Sequence, residues 1–289
     1  MKKKNQGSLF ILIAALLWSL GGVGTKFIPW QPLSIASIRG ILAAIVLLCF
    51  RKGAKIHFTR STICGALCVF TTTVLFMFAN KLTTAANAIV LQYMAPVYVL
   101  IGVMLVQKKR PKWIDMITIL LTFTGIILFF VDHLGSGKTL GDVLAILSGV
   151  SFAGVFFFND LPDSYPQDAN LIGCSLSMLL LPFVFTDSAV VQGGSSPWIA
   201  AILLGIVQLG FAYYFFGKGI SEVGPVSASI IAIVEPVLNP IWVFLLLQEK
   251  PGPLSIFGAA IVIFTILLYN IFPQLRETIS RISRSKKES

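Results

Sequence analysis

Along the chain, long apolar runs alternate with short polar turns, and the runs have the length of membrane-crossing helices. A spanning helix needs roughly 20 apolar residues to cross a ~30 Å hydrocarbon layer. Ten runs meet or approach that length. They are Ser8–Phe27, Leu33–Phe50, Thr62–Lys81, Ala85–Val106, Trp113–Val131, Leu140–Asn159, Ala169–Phe185, Pro197–Phe216, Val223–Leu247 and Leu254–Phe272, with Ala169–Phe185 the weakest. The turns between them carry Pro, Gly and Ser, as in Gly135-Ser136-Gly137 and Gly193-Gly194-Ser195-Ser196-Pro197. The pattern predicts an all-α membrane protein of ten transmembrane helices. The opening Lys2-Lys3-Lys4 before apolar Leu9–Val23 has the outline of a signal peptide. Its uninterrupted apolar run, with nine more behind it, reads instead as a retained first helix.

Composition agrees with the pattern. Of 289 residues 56% are hydrophobic and 12% charged, with a mean hydropathy of +0.88, whereas soluble domains carry about 25% charged residues. The net charge of +10 suggests a nucleic-acid partner only until the charges are placed. With the N-terminus in the cytoplasm, seventeen Lys and Arg fall on the cytoplasmic side. Only Lys26, Lys81, Lys138 and Lys250 fall opposite, and Arg39 lies inside the second span. That asymmetry predicts cytoplasmic N- and C-termini in a cytoplasmic membrane. The basic excess then serves orientation and attraction to anionic lipid, and no nucleic-acid partner is expected. One loop, 160–168, is placed inside yet carries Asp160, Asp163 and Asp168, which count for little in that rule. Cys49, Cys64, Cys68 and Cys174 all fall inside spans. They lack the His or second Cys pair of a zinc site and read as small apolar filler; no cofactor or metal is indicated.

The chain also repeats itself. A shift of 140 residues aligns Ala88–Pro111 with Ala228–Pro251, with seven of 24 positions identical, among them Pro96/Pro236 and Pro111/Pro251. A weaker match sets the first span, with Trp18, against the sixth, with Phe152. Two halves of five spans must run in opposite directions through the membrane. The expected organisation is therefore two inverted five-helix repeats, residues 1–133 and 134–289, an architecture that recurs among secondary transporters.

The fourth and ninth spans, through Ala88…Ala95-Pro96 and Ala228…Val234-Glu235-Pro236-Val237, resemble the EamA family of the drug/metabolite transporter superfamily. Each is followed by a charged break, Lys108–Arg110 and Gln248–Lys250. Ser37-Ile38-Arg39-Gly40 with Ala43, and Leu17-Trp18, are similar as well. The resemblance covers nearly the whole chain. It implies transport of amino acids, related metabolites or drugs, often outward, by a monomer or homodimer in the lipid bilayer. Where the family often ends its fourth span with an acidic residue, this chain has Lys108-Lys109-Arg110, so an ion pair at that end is in doubt.

Several residues could carry function. Pro96 and Pro236 lie mid-span and deprive the carbonyls of Gln92 and Ala232 of their partners, as Pro240 does for Pro236. Freed carbonyls at mid-membrane need another helix, water or solute. Paired broken helices are the best sequence pointer to a transporter's central site, although a packing kink is the plain alternative. Glu235, about twelve residues into its span, lies near mid-depth at ~1.5 Å rise per residue. A carboxylate there faces a cavity, pairs with a cation or makes a structural hydrogen bond. Asn239 and Trp242 share its helix face. Gln92, Tyr93, Trp18, Gln208, Asn159, Tyr213 and Tyr214 are further polar or polar-tipped groups that could line a cavity or bond helices together. Arg39 reads more readily as a snorkelling tether to helix ends than as a substrate contact, and Lys26 as an interfacial anchor. Few mid-membrane cations and abundant aromatics favour an amphipathic or uncharged small-molecule substrate over a polyanion. Both histidines, His57 and His133, fall in loops, and no hydrolytic motif is present, so an enzyme is not expected. A channel or lipid-handling protein built on the same bundle is the remaining alternative.

Overall fold

The computed structural model describes residues 2–51, 55–83, 85–108, 110, 112–130, 139–192, 194–238, 242, 253–254, 256–258, 260–265 and 268–269. Among these there is no strand. The first half holds α1 (Lys2–Trp18), α2 (Gly21–Lys26), α3 (Pro32–Phe50), α4 (Arg60–Leu82), α5 (Ala85–Gln92), α6 (Ala95–Val106) and α7 (Trp113–Phe130). The second holds α8 (Thr139–Asn159), α9 (Pro166–Ser175), α10 (Leu181–Thr186), α11 (Ser188–Gln192), α12 (Ser195–Leu203), α13 (Ala212–Val223) and α14 (Pro225–Ala232). A 3-10 segment, Leu176–Leu180, joins α9 to α10, and a π-helical segment, Leu204–Phe211, joins α12 to α13.

Five stretches are long and apolar enough to cross a membrane: Pro32–Phe50, Arg60–Asn80, Thr139–Asn159, Pro166–Thr186 and Ser195–Val223. Five shorter apolar helices, Asn5–Trp18, Ala95–Val106, Trp113–Leu128, Pro225–Leu238 and Ile256–Thr265, lie in the other expected runs. The run that looked weakest in sequence, in the seventh span, is thus one of the long ones. Large apolar side chains such as Leu105, Leu179, Phe185 and Ile199 point outward and exposed, as a lipid-facing surface requires.

Some spans are short because they are interrupted. The fourth span stops at Gln92, turns through Tyr93-Met94 and restarts at Ala95, so Pro96 sits in a first turn, where its missing N–H costs nothing. The ninth turns at Ile233 and resumes over 234–238. These two turns are 140 residues apart, the period of the sequence repeat. The breaks therefore lie three residues before each proline rather than at it. The first span is broken too, at Ser19-Leu20, without any proline. There Ser19 Oγ donates back to the Leu16 carbonyl at 2.7 Å, competing with the helical ladder.

Between apolar helices in lipid, close packing replaces the hydrophobic effect as the cohesive force, so small residues mark the contacts. Gly40 of α3 touches Ser177, and the Ser37 hydroxyl donates to the Ser177 carbonyl at 3.1 Å. Ser37 and Ser177 are again 140 apart. In the same way Gly149 of α8 lies against the Leu91 and Gln92 carbonyls, so the carbonyl that Pro96 leaves without a ladder partner rests on a residue with no Cβ.

The second and seventh spans are also fastened at both ends. Asp168, at the start of α9, accepts from the Arg51 guanidinium and, at 2.8 Å, from the His57 backbone N–H; His57 Nδ1 lies 2.9 Å from the same carboxylate. The His57 ring stacks on Tyr165 at 3.8 Å. At the other end Asp187 accepts from the backbone N–H groups of Gln31 at 2.7 Å and Ala189 at 3.1 Å. Burial would raise the Asp187 carboxyl, but the N–H of Gln31, the Ser34 hydroxyl and the N–H groups of Ala189 and Val190 overcome it and hold the group below its ordinary value.

Candidate functional site

The three interruptions meet through side chains. Trp18, the last residue of α1, sits in the aromatic core of the bundle. Its ring makes edge contacts with Phe152 (6.0 Å between centroids) and Tyr213 (5.5 Å) and a tilted one with Phe216 (5.6 Å). Phe152 in turn meets Tyr93 at 6.1 Å, which joins the break in the first span to the break in the fourth. The residue that the weaker repeat match set against Trp18 thus packs directly on it.

Polar groups complete the join. Tyr93 and Ile233, the two turn residues, line one small crevice with Pro96, Val97 and Phe123 and so join the fourth span to the ninth, and Glu235 lies half-buried two residues past Ile233. Trp242 Nε1 donates to Ser19 Oγ at 2.8 Å, linking the ninth span to the first. Gln208 donates from Nε2 to the Trp18 carbonyl at 3.0 Å and accepts at Oε1 from Arg39 Nη2 at 2.6 Å. The Trp18 carbonyl, stranded by the end of α1, is thereby satisfied by the eighth span. Gln208 lies inside the π-helical segment, a local widening that often accompanies a functional position because it re-aims side chains.

The structure therefore brings Trp18, Tyr93, Gln208 and Trp242 into one neighbourhood at the breaks, and Glu235 lies two residues past the turn of the ninth span. Gln92 is not part of it: its Nε2 donates to Ser148 Oγ at 2.8 Å, and Ser148 donates to the Thr72 carbonyl at 3.2 Å, a tie between helices. Tyr213 lies beside Trp18, whereas Tyr214 faces Phe50 and Lys218 elsewhere. Asn159 donates to the Val155 carbonyl within its own helix. Asn239, Pro240, His133, the Lys26 side chain and the tail beyond Tyr269 lie outside the described residues. Pro236 is buried one position past Glu235, which itself keeps partial accessibility.

Arg39 departs from expectation. It does not snorkel: it is 5% exposed and its hydrogen bond runs inward to Gln208. Its Nε has no hydrogen-bond partner. Distance along the helix suggested a route to the surface, but Gln208 from a neighbouring span supplies a nearer polar partner, which no local pattern reveals. Among the described residues no group of His, Cys, Asp and Glu could hold a metal ion.

Apolar helices facing lipid, with interruptions that meet at shared buried polar groups, define a multi-pass membrane protein of the transporter class. The chain belongs to the EamA-like transporter family, whose sequence profile matches residues 5–131 and again 139–271. Its relatives carry transporter names rather than enzyme names. An uncharacterized inner membrane transporter of Salmonella typhimurium is 26% identical over 94% of this chain and 97% of its own. An uncharacterized transporter of Bacillus subtilis is 24% identical over 96% and 97%. A probable terminal-alkyne amino-acid exporter of Streptantibioticus cattleyicolor is 22% identical over 89% and 87%. A crystal structure at 17% identity superposes with a TM-score of 0.78, covering 93% of this chain and 98% of its counterpart, a likeness of fold.

Proposed function

We propose that the protein is a secondary transporter that carries a small amphipathic solute, an amino acid or a related metabolite, across the cytoplasmic membrane by alternating access, working as an exporter. The observation that carries the reading is the pair of helix turns at Tyr93 and Ile233, one repeat period apart, which line one crevice. Interrupted helices placed alike in two halves are where transporters of inverted-repeat design bind their cargo. Two five-helix halves, residues 1–133 and 134–289, are supported by the twofold match of the family profile and by the Ser37–Ser177 contact, which a pseudo-twofold axis between the halves would produce. Cytoplasmic termini follow from the placement of basic residues. The amino-acid class is supported by the exporter name of one relative.

The test is flux through the purified protein in sealed liposomes, measured in both directions against panels of amino acids, amines and carboxylic acids. Saturable exchange of at least one solute, lost in Glu235→Gln or Tyr93→Phe, is the expected result. Unsaturable flux with the conductance of an open pore would overturn it in favour of a channel.

A further inference from the structure

A shelf of aromatic rings crosses the first, second and eighth spans at the end of the bundle assigned to the cytoplasm. Phe10 of α1 stacks on Phe215 at 5.9 Å between centroids, and Phe215 meets Tyr214 at 5.4 Å. Tyr214 lies 4.6 Å from Phe50, the last residue of α3, and Phe50 meets Phe211 at 5.6 Å. Phe50 is exposed and the other four rings are half-buried. The seventh span fixes this shelf from behind. Gly217 has no side chain, which leaves room for the Gln167 and Asn170 amides, and these donate to the carbonyls of Tyr214 and Tyr213, both at 2.9 Å. Lys218 caps the shelf. It is exposed, and its ammonium stands 4.3 Å over the Tyr214 ring and 6.0 Å from that of Phe10. Glu222, one turn further on, is the ordinary ion-pair partner of such a lysine, but its Cβ lies against Gly7 of the first span. Among the described residues the ion pairs are those of Asp168, so Lys218 has closed on no carboxylate.

We infer that this shelf is a binding site for an anionic phospholipid of the cytoplasmic leaflet, Lys218 receiving the phosphate and the rings receiving an acyl chain. Depth fits the two parts of such a molecule. Phe10 lies two residues inside the first apolar run, Phe50 closes the second, and Lys218 lies two residues past the eighth, which ends at Phe216. The rings therefore stand at the edge of the hydrocarbon, where aromatic side chains belt a membrane protein, and the ammonium stands at the level of the headgroups. Phe211, about one turn deeper than Tyr214, carries the apolar surface on toward the acyl chains. Charge selects the headgroup. An anionic phosphodiester matches the lone ammonium, whereas phosphatidylcholine brings a cation of its own, and the Tyr214 face that could receive a choline is already taken by Lys218. The site lies apart from the interruptions at mid-membrane and is independent of any cargo.

The experiment is a lipid titration of the purified full-length protein in detergent, with dioleoylphosphatidylglycerol or dioleoylphosphatidylcholine. Native mass spectrometry counts the bound lipid, and the melting temperature is read in parallel. The wild type should hold phosphatidylglycerol about fivefold more tightly than phosphatidylcholine, the worth of one basic residue at an anionic surface, and should melt higher in its presence. Lys218→Gln should abolish the preference and Lys218→Arg should keep it. Lys112→Gln, which removes an exposed cation just before α7, should leave it unchanged. Equal binding of the two lipids by the wild type would overturn the site. So would equal losses in Lys218→Gln and Lys112→Gln, which would reduce the effect to diffuse attraction by the net charge of +10. Glycerol phosphate, the anion without the chains, should compete weakly; full competition would make this a phosphate site and not a lipid site. Where Lys218→Gln fails to fold, Phe50→Ala at the exposed lip of the shelf takes its place. It should weaken phosphatidylglycerol, and unchanged binding would overturn the proposal.

Discussion

Replacing Gly40 with alanine tests whether the second and seventh spans touch as closely as the structure shows. A Cβ at this position would lie 2.1 Å from Ser177 Oγ, 2.4 Å from Ser177 Cβ and 3.2 Å from the Cys174 carbonyl oxygen. The serine hydroxyl can rotate away, but its Cβ is fixed to the backbone. Non-bonded carbons settle at about 3.5–4.0 Å, so relief requires the two spans to part by on the order of 1 Å. Overpacking of this kind costs ~1–3 kcal/mol. The parting would also stretch the Ser37–Ser177 hydrogen bond, now 3.1 Å. Ser177→Gly removes both clashing atoms and leaves that bond in place, because its acceptor is the backbone carbonyl; alone it should cost about 1 kcal/mol for a glycine in a helix. The expected outcome is a melting temperature several degrees lower for Gly40→Ala in detergent, with the double variant Gly40→Ala/Ser177→Gly no worse than Ser177→Gly. That is a favourable coupling of about 1–3 kcal/mol in a double-mutant cycle, equal to the whole overpacking cost. A Gly40→Ala protein as stable as wild type, or a defect that Ser177→Gly leaves untouched, would refute the contact.

Three further outcomes follow from the ends of the bundle and from its charge. Asp168→Asn takes from Arg51 and His57 the carboxylate that both meet at a part-buried site and should lower the melting temperature by several degrees, whereas Asp163→Asn at an exposed carboxyl should shift it little; comparable losses for the two would contradict the structure. Because Asp187 is held below its ordinary value of 3.8, its contribution is complete above that pH and is lost as the pH falls further. Acid melting curves of Asp187→Asn should therefore start lower at neutral pH and fall less steeply below about pH 4 than those of the wild type. In a cysteine-free background, cysteines at Gln6 and Ser285 should resist a membrane-impermeant thiol reagent in intact cells while one at Ser136 reacts; labelling of either terminus from outside would reverse the assigned topology.

The sequence made the helices plain, because apolar runs of spanning length leave little else for the chain to become. It also pointed to two of the three interruptions, since Pro96 and Pro236 are visible without a structure. The break at Ser19-Leu20 was hidden. No proline marks it, and it depends on a serine turning back on Leu16 and on Gln208 arriving from the eighth span to take the Trp18 carbonyl. The π-helical segment that presents Gln208 leaves no periodic signature either. Glu235, Trp18 and Tyr93 stood out as polar or polar-tipped groups in apolar runs, but the same criterion singled out Gln92, which serves α8. Arg39 was misread because position along a helix measures depth and not neighbours. The acidic loop 160–168, which sat awkwardly beside the charge asymmetry, has a plain explanation: Asp168 neutralises the basic loop that follows the second span.

The fastenings on the second and seventh spans constrain how this machine can move. One aspartate binds the pair at each extremity, and a glycine–serine contact closes the middle. Sliding one span past the other by a helical turn, a shift of about 5.4 Å, would tear both aspartates from their donors at once. Rolling or tilting the two together leaves all three attachments intact. The pair thus behaves as an axle with its bearings pinned, and any movement that accompanies transport falls to the helices hung around it.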